Sequence, residues 1–130
     1  MQDPHNLHVW HRAMDLAVGV QRLTRRLDAR EVPGMAGQLR RAVTSIPANI
    51  AEGVGHPSAA VSARHLAIAI GSAFEVETHL LLAARLSSRL TNHEPLLEEL
   101  RQVRRMMYAL RQHYLRRAAA GSSGPPPSHP

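Results

Sequence analysis

The chain has 130 residues, 16 basic and 10 acidic side chains and a net charge of +6, a length that suits one domain of ordinary size and gives no reason for a second core. Apolar residues make up 44% of it but aromatic ones only 3%, so Leu, Ala, Val, Ile and Met must fill the interior, which favours helices over sheets. There is no cysteine, and all 16 Lys-or-Arg positions are arginine; disulfides, thiolate metal sites and cysteine catalysis are excluded, and polyanions are the expected partners.

Residues 1–6 hold no basic stretch leading into an apolar run, and no uninterrupted apolar run approaches the roughly 18 residues of a membrane span. A soluble, cytoplasmic protein with no membrane partner is expected. Pro and Gly marks at Val32-Pro33-Gly34, Gly53-Val54-Gly55-His56-Pro57 and Thr91-Asn92-His93-Glu94-Pro95 then divide the chain into four segments.

In the first segment, Val9, Trp10, Ala13, Leu16, Ala17, Val20, Leu23 and Leu27 recur at steps of three and four, with Arg12, Asp15, Arg22, Arg25 and Arg26 opposite or on the edges. That is an amphipathic helix. The second segment repeats the pattern through Met35, Leu39, Val43, Ile46, Ile50 and Val54, with Pro47 inside the run, where a missing donor should bend the helix.

The third segment runs from about Ser58, a suitable cap, to about Ser88. Its main apolar stripe is Leu66, Ala69, Ile70, Ala73, Val76, Leu80 and Ala84, while Ile68, Leu82 and Leu86 form a second stripe about half a turn away. One bundle interior cannot bury both, so Ile68, Leu82 and Leu86 are the expected oligomer interface, with Gly71, Ser72 and Ala73 small enough to admit another helix.

The fourth segment opens on a Thr91-x-x-Glu94 capping pattern with Pro95 in the first turn, and extends to about Arg117. Leu96, Leu100, Val103, Met106, Met107, Leu110 and Tyr114 share one arc, and Arg101, Arg104, Arg105, Arg111 and Arg116 fall within about 140° on the adjacent one. Four helices with short connections give an all-α, antiparallel up-down-up-down four-helix bundle over residues 1–118. Residues 119–130, mainly Ala, Gly, Ser and Pro, read as a flexible tail.

Of the features that can carry chemistry, the arginine face is the strongest, because residues 101–117 hold Arg101, Arg104, Arg105, Arg111, Arg116 and Arg117 and no acid. Such a face can track a phosphate backbone. With Tyr108 as the aromatic interleaved among them, electrostatic contact is expected rather than base readout, and Arg40 and Arg41 are the next candidates.

No metal or cofactor is expected: His8 and His11, and Glu75 and His79, have helical spacing, but no Glu is followed three positions later by His, as a di-iron bundle requires. Ser45 and Ser72 lie inside helices without a nucleophile turn, and Gly53-Val54-Gly55 lacks the rest of a phosphate loop. A non-enzymatic protein follows. In the second segment Gln38, Arg41, Ser45, Asn49 and Glu52 form a structural polar stripe within about 80°. Arg41 and Glu52 stand about 16 Å apart along the axis and so need partners on other helices, and Glu77, within the apolar arc, is the candidate partner for a buried arginine.

The stretch from Gln38 to Gly53, QLRRAVTSIPANIAEG, resembles the signature of the four-helix bundle proteins encoded in intervening sequences of bacterial large-subunit ribosomal RNA genes. That group includes the accessory variability determinant proteins of diversity-generating retroelements. Leu66 to Thr78 is a second matching block, and Val9-Trp10 with Ala13-Met14-Asp15-Leu16 looks like the family's opening helix. His65 stands where the family usually has Phe. The resemblance implies a ring-like homopentamer with a basic surface and, in the retroelement branch, a nucleic-acid-binding partner of a reverse transcriptase. Five such chains would carry about +30, and their repeated phosphate sites would gain avidity. The expected function is RNA or DNA backbone binding with little sequence preference; the alternative is a scaffold whose arginines meet an acidic protein.

Overall fold

The punctuation in the sequence becomes the ends of four helices. The computed structural model describes residues 3–4, 7–87 and 89–121, and among them the order is α1 (His8–Thr24), α2 (Met35–Gly55), α3 (Ala59–Leu86) and α4 (Glu94–Gly121), with no strand. Gly34 precedes α2 at φ 75°, a left-handed backbone that glycine adopts without a Cβ penalty. Ser58 caps α3 as expected, its hydroxyl accepting from the Val61 N–H at 3.3 Å. α2 continues through Pro47, which is buried.

Two helix ends differ from the expectation. α4 begins at Glu94, so Thr91 lies outside it and exposed instead of capping it. Asn92 takes the left-handed turn, at φ 67°, and the Leu97 N–H donates to the His93 carbonyl at 2.9 Å; with the chain reversing at Asn92, Thr91 cannot reach the first turn. At the other end α4 runs through Ala119 and Ala120 to Gly121, three residues into the expected tail, because alanine is the best helix former. Residues 122–130 of that tail lie outside the described residues.

α1 packs on α2 and α4, and α3 packs on the same two, while α1 and α3 stand diagonally across the core. This is a four-helix bundle around one core. Leu16, Leu39, Ile46, Ile50, Leu66, Leu80, Leu97, Leu100 and Met107 are its largest fully buried side chains. The main α3 stripe enters the core, with Ala83 buried where Ala84 is half-buried. By length and composition α3 is also apolar enough to cross a membrane, a test that the core helix of a bundle passes too.

Along the α2–α3 seam the two backbones approach closely at Gly53. A Cβ on Gly53 would lie 3.1 Å from the Ser62 carbonyl oxygen and 3.2 Å from the His65 Cβ. Ser62, itself buried, donates its hydroxyl to the Gly53 carbonyl at 2.5 Å. Higher on the same seam, the Ser45 and Ser72 hydroxyls bond at 2.8 Å. Ser72 and Ala73 therefore face into this chain, and of the three small residues expected to admit a further helix only Gly71 stands open. Gly53→Ala is expected to cost about 1–2 kcal/mol in urea unfolding, because crowding the α3 backbone outweighs the roughly 1 kcal/mol that alanine gains over glycine inside a helix.

Candidate functional site

The arginine arc of α4 does not present one uniform charged face. Arg101 Nε reaches Glu77 Oε2 at 3.1 Å and Arg104 Nη1 reaches Glu77 Oε1 at 3.0 Å, so the acid expected to meet a buried arginine holds two. Arg104 is the more enclosed and its guanidinium also lies 4.2 Å from the centre of the Phe74 ring. Burial of the Glu77 carboxyl, the largest single effect, works to raise its pKa, but the hydrogen bonds and charges of Arg104 and Arg101 together bring it below the usual carboxylate value. Arg105 is exposed, 3.9 Å from Glu98. Arg111 is half-buried, its Nε without a hydrogen-bond partner among the described residues, and Arg116 is exposed. Burial, with Arg117 and Arg116 nearby, lowers the pKa of His113 and favours its neutral form.

On the α1–α4 side, Arg12 clamps Glu99 through its Nη2 and through Nε at 3.2 Å. That hydrogen bond is the main reason its pKa is raised. About two turns further along α1, Gly19 lets α4 come close: a Cβ there would meet Leu96 Cδ2 at 2.7 Å.

The polar stripe of α2 is assembled by α3. Asn49 donates to the Ser45 carbonyl at 2.9 Å and to its hydroxyl at 3.0 Å, and its Oδ1 lies 3.1 Å from His65 Nδ1. His65 Nδ1 is also 3.3 Å from Glu52, so the Glu52 end of the stripe finds its partner on a neighbouring helix. Gln38, Arg41 and Ser45 continue the stripe along an open groove of about 250 Å³, completed by Ala42, Ser72 and Glu75. Glu75 lies 3.7 Å from His79. Among the described residues no histidine nitrogen bonds either serine hydroxyl, and no three His, Asp or Glu side chains converge as a metal site requires.

Arg40 lies on the other flank of α2, toward α1, and Arg41 stands between the two flanks, lining the α2–α3 groove with Glu75 as well as a groove shared with Gln21 of α1. Both arginines are exposed and neither has a carboxylate partner among the described residues. Arg40 Nε donates to the Thr24 hydroxyl at 3.0 Å, and Thr24, which is buried, donates to the Gln21 carbonyl at 2.6 Å. The Arg41 guanidinium lies against the bare face of Gly37, where a Cβ would be 3.4 Å from its Nη1. Composition and spacing pick out the two arginines, but nothing in them marks Thr24 or Gly37, whose roles exist only once α1 and α2 pack.

The second apolar stripe of α3 is left outside this chain, with Ile68 47%, Leu82 44% and Leu86 51% exposed. Phe74 and Leu81 join them on the outer side of α3, and Met14 and Val18, which the helical arc of α1 does not include, are exposed on the opposite helix.

With this geometry in place, the family model described as 23S rRNA-intervening sequence protein matches residues 5–109. The chain belongs to that family. No curated protein matches it. In this 23S rRNA-intervening sequence protein the matched span takes in α1, α2, α3 and α4 as far as Ala109, hence Arg40, Arg41, the α2 stripe, Ile68, Leu82, Leu86 and the Glu77 cluster with Arg101, Arg104 and Arg105. Arg111 and Arg116 fall beyond it.

The Glu77 cluster makes a testable claim about stability. A carboxylate whose folded pKa lies below its ordinary 4.5 stabilises the fold above that value, and the contribution is lost as the pH falls through the lowered folded value. Glu77→Gln should cost about 1–3 kcal/mol at neutral pH, since it leaves two guanidiniums without their anion. Urea unfolding across an acid pH series should show a shallower loss of stability in the variant than in the parent.

Proposed function

We propose that this family member is a non-enzymatic, oligomeric helical bundle that binds RNA or DNA backbone with little sequence preference. The observation that carries the reading is the set of exposed arginines without carboxylate partners among the described residues, including Arg22, Arg25, Arg40, Arg41 and Arg116, on a chain of net charge +6. Guanidiniums free of protein carboxylates are available to phosphates, and each contact releases condensed counterions. Family membership agrees with a role close to ribosomal RNA; an accessory role beside a reverse transcriptase, as in the retroelement proteins the sequence resembles, is the narrower form of the same reading.

The up-down-up-down topology belongs to this proposal. The cross-helix pairs Gln21–Thr44 with Thr24–Arg40, Ser45–Ser72 with Gly53–Ser62, and Phe74–Arg104 with Glu77–Arg101 each run in opposite sequence directions along their helices and so support antiparallel neighbours. A ring-like homopentamer in the cytoplasm is the assembly proposed, and the apolar residues left outside on α3 supply its contact surface.

Two measurements test the reading. A titration with RNA and DNA should show affinity falling about 100-fold between about 50 mM and 200 mM salt if four phosphates are contacted. A flat salt response would remove the electrostatic argument, and no binding at low salt would hand the function to the acidic-protein scaffold. Ile68→Glu should reduce the particle mass in light scattering while leaving helical content intact; an unchanged mass would exclude this stripe as the subunit contact.

A further inference from the structure

We infer that the principal phosphate-binding site is the α1–α2 seam, where Arg40 and Arg41 are held ready for the backbone of a nucleic-acid strand. This rests on the nucleic-acid reading above and says where on the molecule it acts, which differs from the arginine arc that the sequence favours.

The seam differs from the central part of the α4 arc. On α4, Arg101 and Arg104 spend their guanidiniums on Glu77, so a phosphate would compete with a carboxylate already in place. On the seam, Arg40 is fixed through Nε alone, by Thr24, which leaves its terminal nitrogens to pair with phosphate oxygens. Arg41 rests over Gly37, so it too loses less side-chain freedom on binding. The two line one groove of about 470 Å³ with Gln21, Thr44, Ser45 and Ala48. Its floor is bridged by Gln21 Nε2 donating to the Thr44 hydroxyl at 3.1 Å.

That bridge also borders a second groove of about 440 Å³, which shares Gln21 and Thr44 and is flanked by exposed Arg22 and Arg25. None of the residues lining either groove is acidic. Arg40 and Arg41 thus line the first groove and Arg22 and Arg25 the second, and the two adjoin at Gln21 and Thr44 to form a trough whose α3 side, beyond Arg41, carries Glu75. The apolar patch within the second groove, Met14, Val18 and Pro47, suits the face of a base that has left its stack. A second copy of this chain is the competing occupant, and the charge speaks against it, because two +6 chains would have to meet across four unpaired guanidiniums.

The test titrates a labelled single-stranded RNA oligonucleotide against the full chain, its Arg40→Gln/Arg41→Gln variant and an Arg64→Gln/Arg85→Gln variant that removes the same two charges from exposed positions of α3. Light scattering is run on each sample. The seam variant should lose about tenfold or more in affinity at low salt and about 1.4 units of salt slope on the single strand, with the α3 variant losing much less. Thr24→Val, which keeps every charge but removes the acceptor for Arg40, should lose affinity as well, with its folding checked by urea unfolding. Equal losses in the two double variants would reduce the effect to net charge and overturn the site. Unaltered binding by the seam variant would overturn the site while leaving the nucleic-acid reading intact. A seam variant that falls apart into smaller particles would make the seam a subunit contact and overturn the site too. Absence of binding by the parent chain would remove the reading and the site together.

Discussion

The close approach of α2 to α3 sets the rotation of the whole bundle. Gly53 has no side chain to hold the helices apart, Ser62 ties its hydroxyl to the Gly53 carbonyl, and Ser45 and Ser72 meet further along. Once α3 is pinned at these points its orientation about its own axis is no longer free. Leu66, Ala69, Ala73, Val76 and Leu80 must enter the core, Glu77 must face α4, and Ile68, Leu82 and Leu86 must point away. A helix whose apolar residues cover two faces cannot choose between them by hydrophobicity alone. Here the choice is made by small residues on the neighbouring side, where shape decides what area burial leaves undecided.

The same rotation distributes the charge. Because Glu77 is turned toward α4, two arginines of that helix are drawn into an ion cluster and become part of the fold. Glu99 does the same for Arg12 across the α1–α4 side. Carboxylates are fewer than arginines in this chain, and their placement decides which guanidiniums are left over. The remainder is spread over the bundle: Arg22, Arg25, Arg26, Arg40 and Arg41 on or beside α1 and α2, Arg64 and Arg85 on α3, and Arg111, Arg116 and Arg117 at the far end of α4. Arginine density along a sequence is thus a poor guide to a binding face when the acids that neutralise it come from another helix.

The four helices, the α3 cap at Ser58, the two-faced α3 and the role of Glu77 were legible in the sequence, because each follows from periodicity or from the cost of burying an unpaired charge. Thr91 misled because a capping pattern states which residues can cap, while the left-handed backbone at Asn92 decides which one is in reach. Met14 and Val18 sit at the margin of the α1 arc, where a helical wheel cannot say whether a neighbour covers them. The anchoring of Arg40 by Thr24 joins residues 16 apart on different helices and leaves no trace in local pattern.

One guanidinium fixed by a hydrogen bond and three freer ones would give only a modest hold on a polyanion, so in the proposed assembly the arrangement of several copies would matter more than the strength of one site. α1 and α3 are not neighbours in the bundle, so a contact through Ile68, Leu82 and Leu86 uses the outer side of α3 on one chain, while a ring requires a second, different patch on the next. In the proposed assembly the apolar contact would set the number and spacing of troughs, and the arginines would supply the phosphate contacts within each. An assembly built this way would bind long strands far better than short ones at equal charge per nucleotide, because only a strand that reaches the next trough gains from the effective concentration that the first contact creates.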